Sequence, residues 1–491
     1  MDNETTKKRN LLFYPLGTVG RDMIYALFTN FILLYILYTR SLTNAQLAAI
    51  TAIMVAARVF DALNDPIMGN IIERTRTPIG KFKPWLAIGV LSTSVVVYLA
   101  FNTNLEGWNF IVFFGIIYFL YSITYTMNDI SYWGMVPALS SDGDSRNQFT
   151  SRATLFAGIG STLASVLIPV LTTGEYALGG SARVAYGRIA LIICILAPLF
   201  ICFTLFGVRE NRDDKDTPAP PVSLKKVVST IMGNDQLLWI SLIFLIQQVG
   251  NGIILGGAGS NYIYFEFGYE GGLYSIFTTV GMAATAFLMI FYPVISRHIH
   301  RKALVRIMGI TAAAGYVIQL GGGLLLPSTM TKFWVLTLGF VLSNFGQYGL
   351  YLIMMISIIN TVEYNEYRHG TRDEAIITSM RPFLTKLGSA FVVMITSVTY
   401  MLFHVTEYTN QISSLESAAE MGTITAQQRS DSIAEVIASV GTSQTTGLLL
   451  AMTVLPCILM LLACFLYQRF YQLDEERYDE ICAKLAENKK E

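Results

Sequence analysis

The chain has 491 residues, of which 14% are charged and 53% hydrophobic; Lys plus Arg and Asp plus Glu each number 34, so the formal net charge is zero. With a mean hydropathy of +0.50, this composition excludes a disordered chain, which needs low hydrophobicity and high net charge. It also excludes a nucleic-acid binder, which needs a basic excess, and a short cysteine-dense scaffold. What remains is a membrane protein of several spans.

A helix needs about 20 largely apolar residues to cross a bilayer. Twelve segments meet that length, at 12–38, 45–72, 85–101, 110–139, 153–171, 189–208, 237–255, 274–295, 305–325, 333–359, 375–403 and 446–467. Unbroken apolar runs such as 112–118 and 448–452 predict helices rather than the alternating strands of a barrel. Most of the Lys and Arg falls on the side of the N-terminus; the opposite loops hold only Arg40, Arg183, Arg188, Lys332 and Arg429. By the positive-inside rule both termini are expected in the cytoplasm. The fold class expected is an all-α membrane protein of twelve transmembrane helices in two six-helix halves. The halves are residues 1–208 and 236–470, joined by a charged, Pro-rich loop at 209–235 and followed by a cytoplasmic tail at 471–491. That layout is shared by a large class of transporters.

An ionisable side chain at mid-membrane costs several kcal/mol (~2.5–3.5 on insertion scales) and marks function more often than not. Eight stand out within the expected spans, away from their ends: Arg21, Asp22, Arg58, Asp61, Asp65, Asp129, Arg381 and Lys386. Four acids against four bases predict mutual pairing in a polar cavity. On the first span Asp22 and Tyr25 share a face, with Arg21 turned about a quarter circle away. On the second, Arg58, Asp61 and Asp65 share one face at i, i+3, i+7. Two carboxylates four residues apart repel unless a proton, a hard cation such as Na+, or a basic side chain lies between them. The alternative is an ion-pair cluster that only orders helix packing. On the fourth span Tyr125, Asp129 and Trp133 form a stripe at i, i+4, i+8. A carboxylate accepts hydrogen bonds from two neighbouring hydroxyls, and a flat aromatic gives an apolar platform, which together suit a sugar. The alternative there is an aromatic packing stripe.

Arg152 opens the fifth span as either a loop cation or the last polar group of the cavity. The glycine-rich run at 250–257 in the seventh span predicts a helix break or close packing, since no strand precedes it as a phosphate loop would require. On the eleventh span Lys386 and Ser389 share a face, and Lys386 is the expected counter-ion of the carboxylate pair. The loop at 404–442 reads as mildly polar, with 415–420 as a short surface helix. Cys194, Cys202, Cys457, Cys464 and Cys482 lack metal-ligand spacing and read as small packing residues.

The run 58–69, Arg-Val-Phe-Asp-Ala-Leu-Asn-Asp-Pro-Ile-Met-Gly, followed by Arg-Thr-Pro-Ile-Gly-Lys-Phe-Lys-Pro-Trp at 76–85, resembles the glycoside–pentoside–hexuronide:cation symporters of the major facilitator superfamily. Further matches are Gly-Arg-Asp at 20–22, Tyr-Thr-Met-Asn-Asp at 125–129 with Trp133, Asn-Asp-Gln-Leu-Leu-Trp at 234–239, and Met-Arg-Pro-Phe-Leu-Thr-Lys-Leu-Gly at 380–388. The last is similar to the lactose-permease branch, where Arg381-Pro382 replaces the polar pair near the melibiose site. The resemblance implies a cation site of Asp61, Asn64, Asp65, Thr126 and Lys386, with Arg58 beside it. It implies a sugar site of Arg21, Asp22, Tyr125, Asp129, Trp133 and Arg152, with Arg381 and Lys386 from the eleventh helix.

The expected activity is cation-coupled symport of a neutral glycoside, such as a galactoside or small oligosaccharide, by alternating access. The two aspartates at sugar positions favour a neutral glycoside over a hexuronide; a pentoside or hexuronide carrier, or a sugar receptor without turnover, are the alternatives. The coupling cation is Na+ or H+. Neutral oxygens from Asn64 and Thr126 favour Na+, which Asp61, Asp65, Thr126 and Asn64 would ligate. No cofactor is expected, and no enzyme activity, because no nucleophile–base arrangement appears. The expected partners are sugar, cation and membrane lipid, with the chain acting as a monomer in a bacterial cytoplasmic membrane.

Overall fold

The structure is a computed structural model that describes residues 3–140, 143–209 and 224–488. Among these residues every regular element is a helix. In chain order they are α1 (Asn3–Thr39), α2 (Asn44–Arg74), α3 (Lys83–Phe101), α4 (Gly107–Gly134), α5 (Val136–Leu139), α6 (Gly143–Thr172), α7 (Ala182–Gly207), α8 (Leu224–Gly233) and α9 (Asp235–Ile253). There follow α10 (Gly259–Phe267), α11 (Gly271–His298), α12 (Arg301–Leu325), α13 (Met330–His369), α14 (Glu374–Leu402), α15 (Val405–Glu420), α16 (Ala426–Ala438), α17 (Thr442–Phe470) and α18 (Glu475–Asn488). Eleven are long and apolar enough to cross a membrane, and α2 makes twelve if its bent halves are one span. The Pro-rich part of the central loop lies outside the described residues; the part after it forms α8.

Local chemistry sets the helix ends. Thr43 and Gln46 form a capping box that starts α2. Asn234 accepts from the Leu237 amide to start α9, and Gly370, at φ 69°, ends α13 in the left-handed conformation. Exposed apolar residues run in stripes, such as Ile88, Leu91, Val95 and Leu99 on α3 and Ile192, Ile195, Leu199 and Phe203 on α7. A helical stripe of that kind is suited to lipid as its solvent.

The residues divide into two compact units. The first holds residues 1–220, 268–275 and 404–440, and the second holds 221–267, 276–403 and 441–491. In the first, α1 packs along α6 and α7, and α4 lies against α2 and α3. A side chain at Gly160 would collide with the Val19 carbonyl, and one at Gly20 with the Ala197 backbone, so these glycines let α6 and α7 close on α1 beside Arg21. In the second, α12 packs along α13, and α9 along α14 and α17. The span that follows α8 is broken: a five-residue π-helical turn at Ile254–Ala258 separates α9 from α10, with Gly257 at φ 123°. Both outcomes expected for the glycine run are found there: the helix breaks, and a side chain at Gly252 or Gly256 would collide with Val392.

The segment 404–440 departs from expectation. It forms two helices, α15 and α16, and groups with the first unit although it lies in the second half of the chain. Glu416, expected on a surface helix, is 1% exposed and paired with Arg429, itself 3% exposed, at 3.4 Å. Glu416 also accepts from the Ala182 amide at 2.6 Å, and Arg429 donates to the carbonyls of Gly174 and Gly180. Asn410 bonds both backbone groups of Leu42 at 2.8 Å. These bonds, invisible to local sequence pattern, hold the helix pair down.

Candidate functional site

Arg21 lies at the centre of the first charged cluster. Its Nε and Nη2 donate to Asp22 Oδ2 at 3.0 and 2.8 Å, and its Nη1 donates to Asp129 Oδ1 at 3.0 Å. Arg21 and Asp22 are consecutive, about a quarter circle apart around α1, yet the long guanidinium reaches both acids. Arg21 is 3% exposed, Asp22 16% and Asp129 40%, so the guanidinium holds the acids from behind while Asp129 opens to solvent. The rings of Tyr132 and Trp133 lie 4.8 and 5.2 Å from the guanidinium carbon, close enough for cation–π attraction. Tyr125 packs against Tyr25 at 5.3 Å and Tyr121 at 5.5 Å, completing an aromatic wall on α1 and α4.

The second cluster joins α2 and α4. Arg58 Nη1 lies 3.5 Å from Asp61 Oδ2, with the Arg58 guanidinium 6.0 Å from the Tyr118 ring. Ser122 donates to Asp61 Oδ1, and Thr126 donates to Asp65 Oδ1 at 3.1 Å. The two acids are one turn apart on α2 and the two hydroxyls one turn apart on α4, so the contacts form two rungs of a ladder. The basic partner found for Asp61 is Arg58, from its own helix. Between the rungs α2 bends by 41° from Asn44–Asp61 to Asn64–Arg74. Pro66 explains the bend: it lacks the amide proton the turn requires and its ring clashes with the carbonyl four residues back. The Asn64 amide nitrogen is buried with no acceptor among the described residues. Ser122 carried no signal of its own in the sequence; its one clue is the four-residue offset from Thr126 that mirrors Asp61 and Asp65.

Four residues of α4 thus face the two clusters: Ser122, Thr126, Asp129 and Trp133, spaced i, i+4, i+7, i+11. At 3.6 residues per turn these lie on one face of a single helix.

Arg152 is exposed, and its Nη1 reaches the Leu11 carbonyl at 3.4 Å rather than either acid. In the second unit Arg381 is exposed and contacts Met355 Sδ at 3.5 Å. Lys386 is half-buried on α14, next to Thr385, whose hydroxyl accepts from Gln248 Nε2 at 3.2 Å.

Helix number and helix order define a multi-pass membrane protein of the major-facilitator fold. A crystal structure of a bacterial homologue of the human lysosomal transporter Spinster superposes with a TM-score of 0.64 at 13% identity, covering 98% of each chain. The family described as MFS/sugar transport protein matches residues 13–475, and the chain belongs to that family, in its branch of glycoside–pentoside–hexuronide symporters. It is similar to a lactose permease of Leuconostoc lactis, 29% identical over 78% of this chain and 60% of the permease. It is also similar to a raffinose carrier protein of Pediococcus pentosaceus, 26% identical over 96% of this chain and 71% of the carrier. The chain thus spans less than two thirds of the length of that lactose permease. The family is one of membrane transporters rather than enzymes, and the chain is a multi-pass protein of the bacterial cytoplasmic membrane.

Proposed function

We propose that the protein is a secondary active symporter that couples a cation, Na+ or H+, to uptake of a neutral glycoside. The observation that carries this reading is the single face of α4. One end of the face supplies hydroxyls to Asp61 and Asp65; the other supplies Asp129 and Trp133. A cation at the Asp61/Asp65 pair, with oxygens from Thr126 and Asn64, offsets the repulsion between the acids and fixes α2 against α4. The same helix then presents Asp129, beside Asp22, to sugar hydroxyls, with Trp133 as the apolar platform and Tyr125 along the wall. Coupling is reciprocal: each ligand raises affinity for the other. Arg381 and Lys386 are the contributions of the eleventh span, and Arg152 enters the sugar site only after a change of rotamer. Binding near mid-membrane followed by alternating access completes the cycle, with the chain acting as a monomer, both termini cytoplasmic, and no cofactor.

The lactose and raffinose carriers among the relatives support a galactoside or small oligosaccharide as the sugar. Counterflow of a labelled sugar panel in proteoliposomes, with and without Na+ at fixed pH, tests the proposal. Cation-stimulated exchange of a neutral glycoside is expected. Sugar binding with no transport under any cation would reduce the protein to a receptor.

A further inference from the structure

Resting on the reading of Asp61 and Asp65 as the cation site, we infer that Ser122 is a positioning residue of that site. Its hydroxyl sets the Asp61 carboxylate for the cation and with it the affinity of the coupling step. The inference starts from what serines and threonines do elsewhere in these helices. Thr39, Thr51, Ser92, Thr124, Thr337, Ser357 and Thr453 all donate to the carbonyl four residues back. That is the default for a hydroxyl in an apolar span, where a local acceptor is always in reach. Ser122 and Thr126 turn away from it and donate across to α2 instead, each to one carboxylate.

The position of Ser122 is enclosed. It is 4% exposed and Asp61 6%, so no bulk water substitutes for the hydroxyl. Arg58 holds Oδ2 of Asp61 and Ser122 holds Oδ1, which fixes the carboxylate plane from both sides. A hydroxyl has one proton and two lone pairs. With the proton committed to Asp61, the lone pairs point away from the acid and are free in chemistry to face a hard cation, which takes oxygen ligands. The upper rung therefore orients one acid and adds a neutral oxygen, as Thr126 does for Asp65.

The test uses the full-length protein in proteoliposomes with three variants, Ser122→Ala, Ser122→Thr and Ser122→Val. Two quantities are read: the cation concentration that half-activates uptake, titrated with Na+ at fixed pH and with H+ without Na+, and the sugar affinity at saturating cation. Losing a hydrogen bond to a charged group is expected to raise the half-activating concentration about tenfold or more in Ser122→Ala. Sugar affinity at saturating cation stays within about twofold, because the ligands on Asp129 are untouched. Ser122→Thr restores activation and its isostere Ser122→Val does not, which reads the hydroxyl apart from packing even if the alanine variant folds poorly. Unchanged activation in Ser122→Ala and Ser122→Val, or an equal loss of sugar affinity at saturating cation, overturns the inference. Uptake by the parent protein that no cation stimulates overturns the cation-site reading beneath it, a result distinct from either.

Discussion

The two units solve the same problem with different chemistry. Both bury polar groups in an apolar bundle. The first unit does so with charge: Arg21 between Asp22 and Asp129, Arg58 beside Asp61, and Arg429 against Glu416 in the segment it takes from the second half of the chain. The interior of the second unit is mostly amide. Gln247 donates to Gln347, Gln347 to the Tyr316 hydroxyl at 3.1 Å, Asn344 to the Gly281 carbonyl and Thr285, Gln319 to Ser343, and Asn261 to Tyr400. A buried ion pair among its described residues, Lys332 with Glu266, lies at helix ends, near the start of α13 and the end of α10. Charges in a low-dielectric interior respond strongly to any added or removed charge. Neutral amides hold helices in register and respond little. On the proposed function the aspartates of both ligand sites lie in the first unit, while the amides described in the second hold its helices in register.

The largest effects should fall on the first unit. Asp129→Asn removes the acid that opens to solvent and is expected to lower sugar affinity by more than about a hundredfold, while cation binding survives. Asp65→Asn should reverse that order, abolishing cation activation and weakening sugar binding less. Equal sugar affinity in both variants and the parent protein would break the division between the two ends of α4. Next in size is Arg21→Met. It leaves Asp22 and Asp129 without their shared guanidinium, and removing one partner of a buried pair costs about 3–5 kcal/mol. Exposure of Asp129 screens part of this, so the lower end is expected. Thermal unfolding in detergent measures it, and Arg21→Met/Asp22→Asn/Asp129→Asn should recover much of the loss because no charge is then left alone.

These charged clusters are also where the sequence was most informative, for a physical reason. An apolar run of bilayer length has few alternative fates, so the twelve spans are readable, and an ion within one is costly enough to stand out. That reasoning finds Asp22, Asp61, Asp65 and Asp129 but not how they pair. Arg21 looked turned away from Asp22 because helix periodicity places backbones, not the tip of a long side chain. Ser122 is invisible because a serine that bonds its own helix and one that bonds a neighbour have the same local sequence. Glu416 read as surface because its burial depends on α7 and the loops at Gly174 and Gly180, far away in the chain. The amide network of the second unit left no signal, since Gln and Asn are tolerated in spans at modest cost.

A smaller effect distinguishes that network. Gln347→Leu deletes its side-chain bonds to Gln247 and Tyr316 while its backbone carbonyl still accepts from Gln247, and the expected destabilisation is about 1–3 kcal/mol, the cost of unpaired buried groups. Cation activation should be unchanged. A change in the half-activating cation concentration would show that the second unit, too, responds to the ligand charge and would break the contrast between the units.

The smallest effect concerns the helix pair α15–α16, which lies outside the membrane spans. Burial raises the proton affinity of the Glu416 carboxyl above its ordinary value, against the opposing pull of Arg429. An acid that binds its proton more tightly when docked than when released favours docking as pH falls. The contribution is complete below the proton affinity of the released acid and is lost as pH rises through the raised value of the docked one. Amide hydrogen exchange in α15 and α16 should therefore slow modestly from pH 8 to pH 5, after correction for intrinsic rates. Glu416→Gln keeps the shape and an acceptor for the Ala182 amide while removing the titration, so its protection should be independent of pH. If the parent protein also shows no pH dependence, Arg429 holds the acid charged throughout, and the ionic character of the first unit extends undiminished into the segment contributed by the second half of the chain.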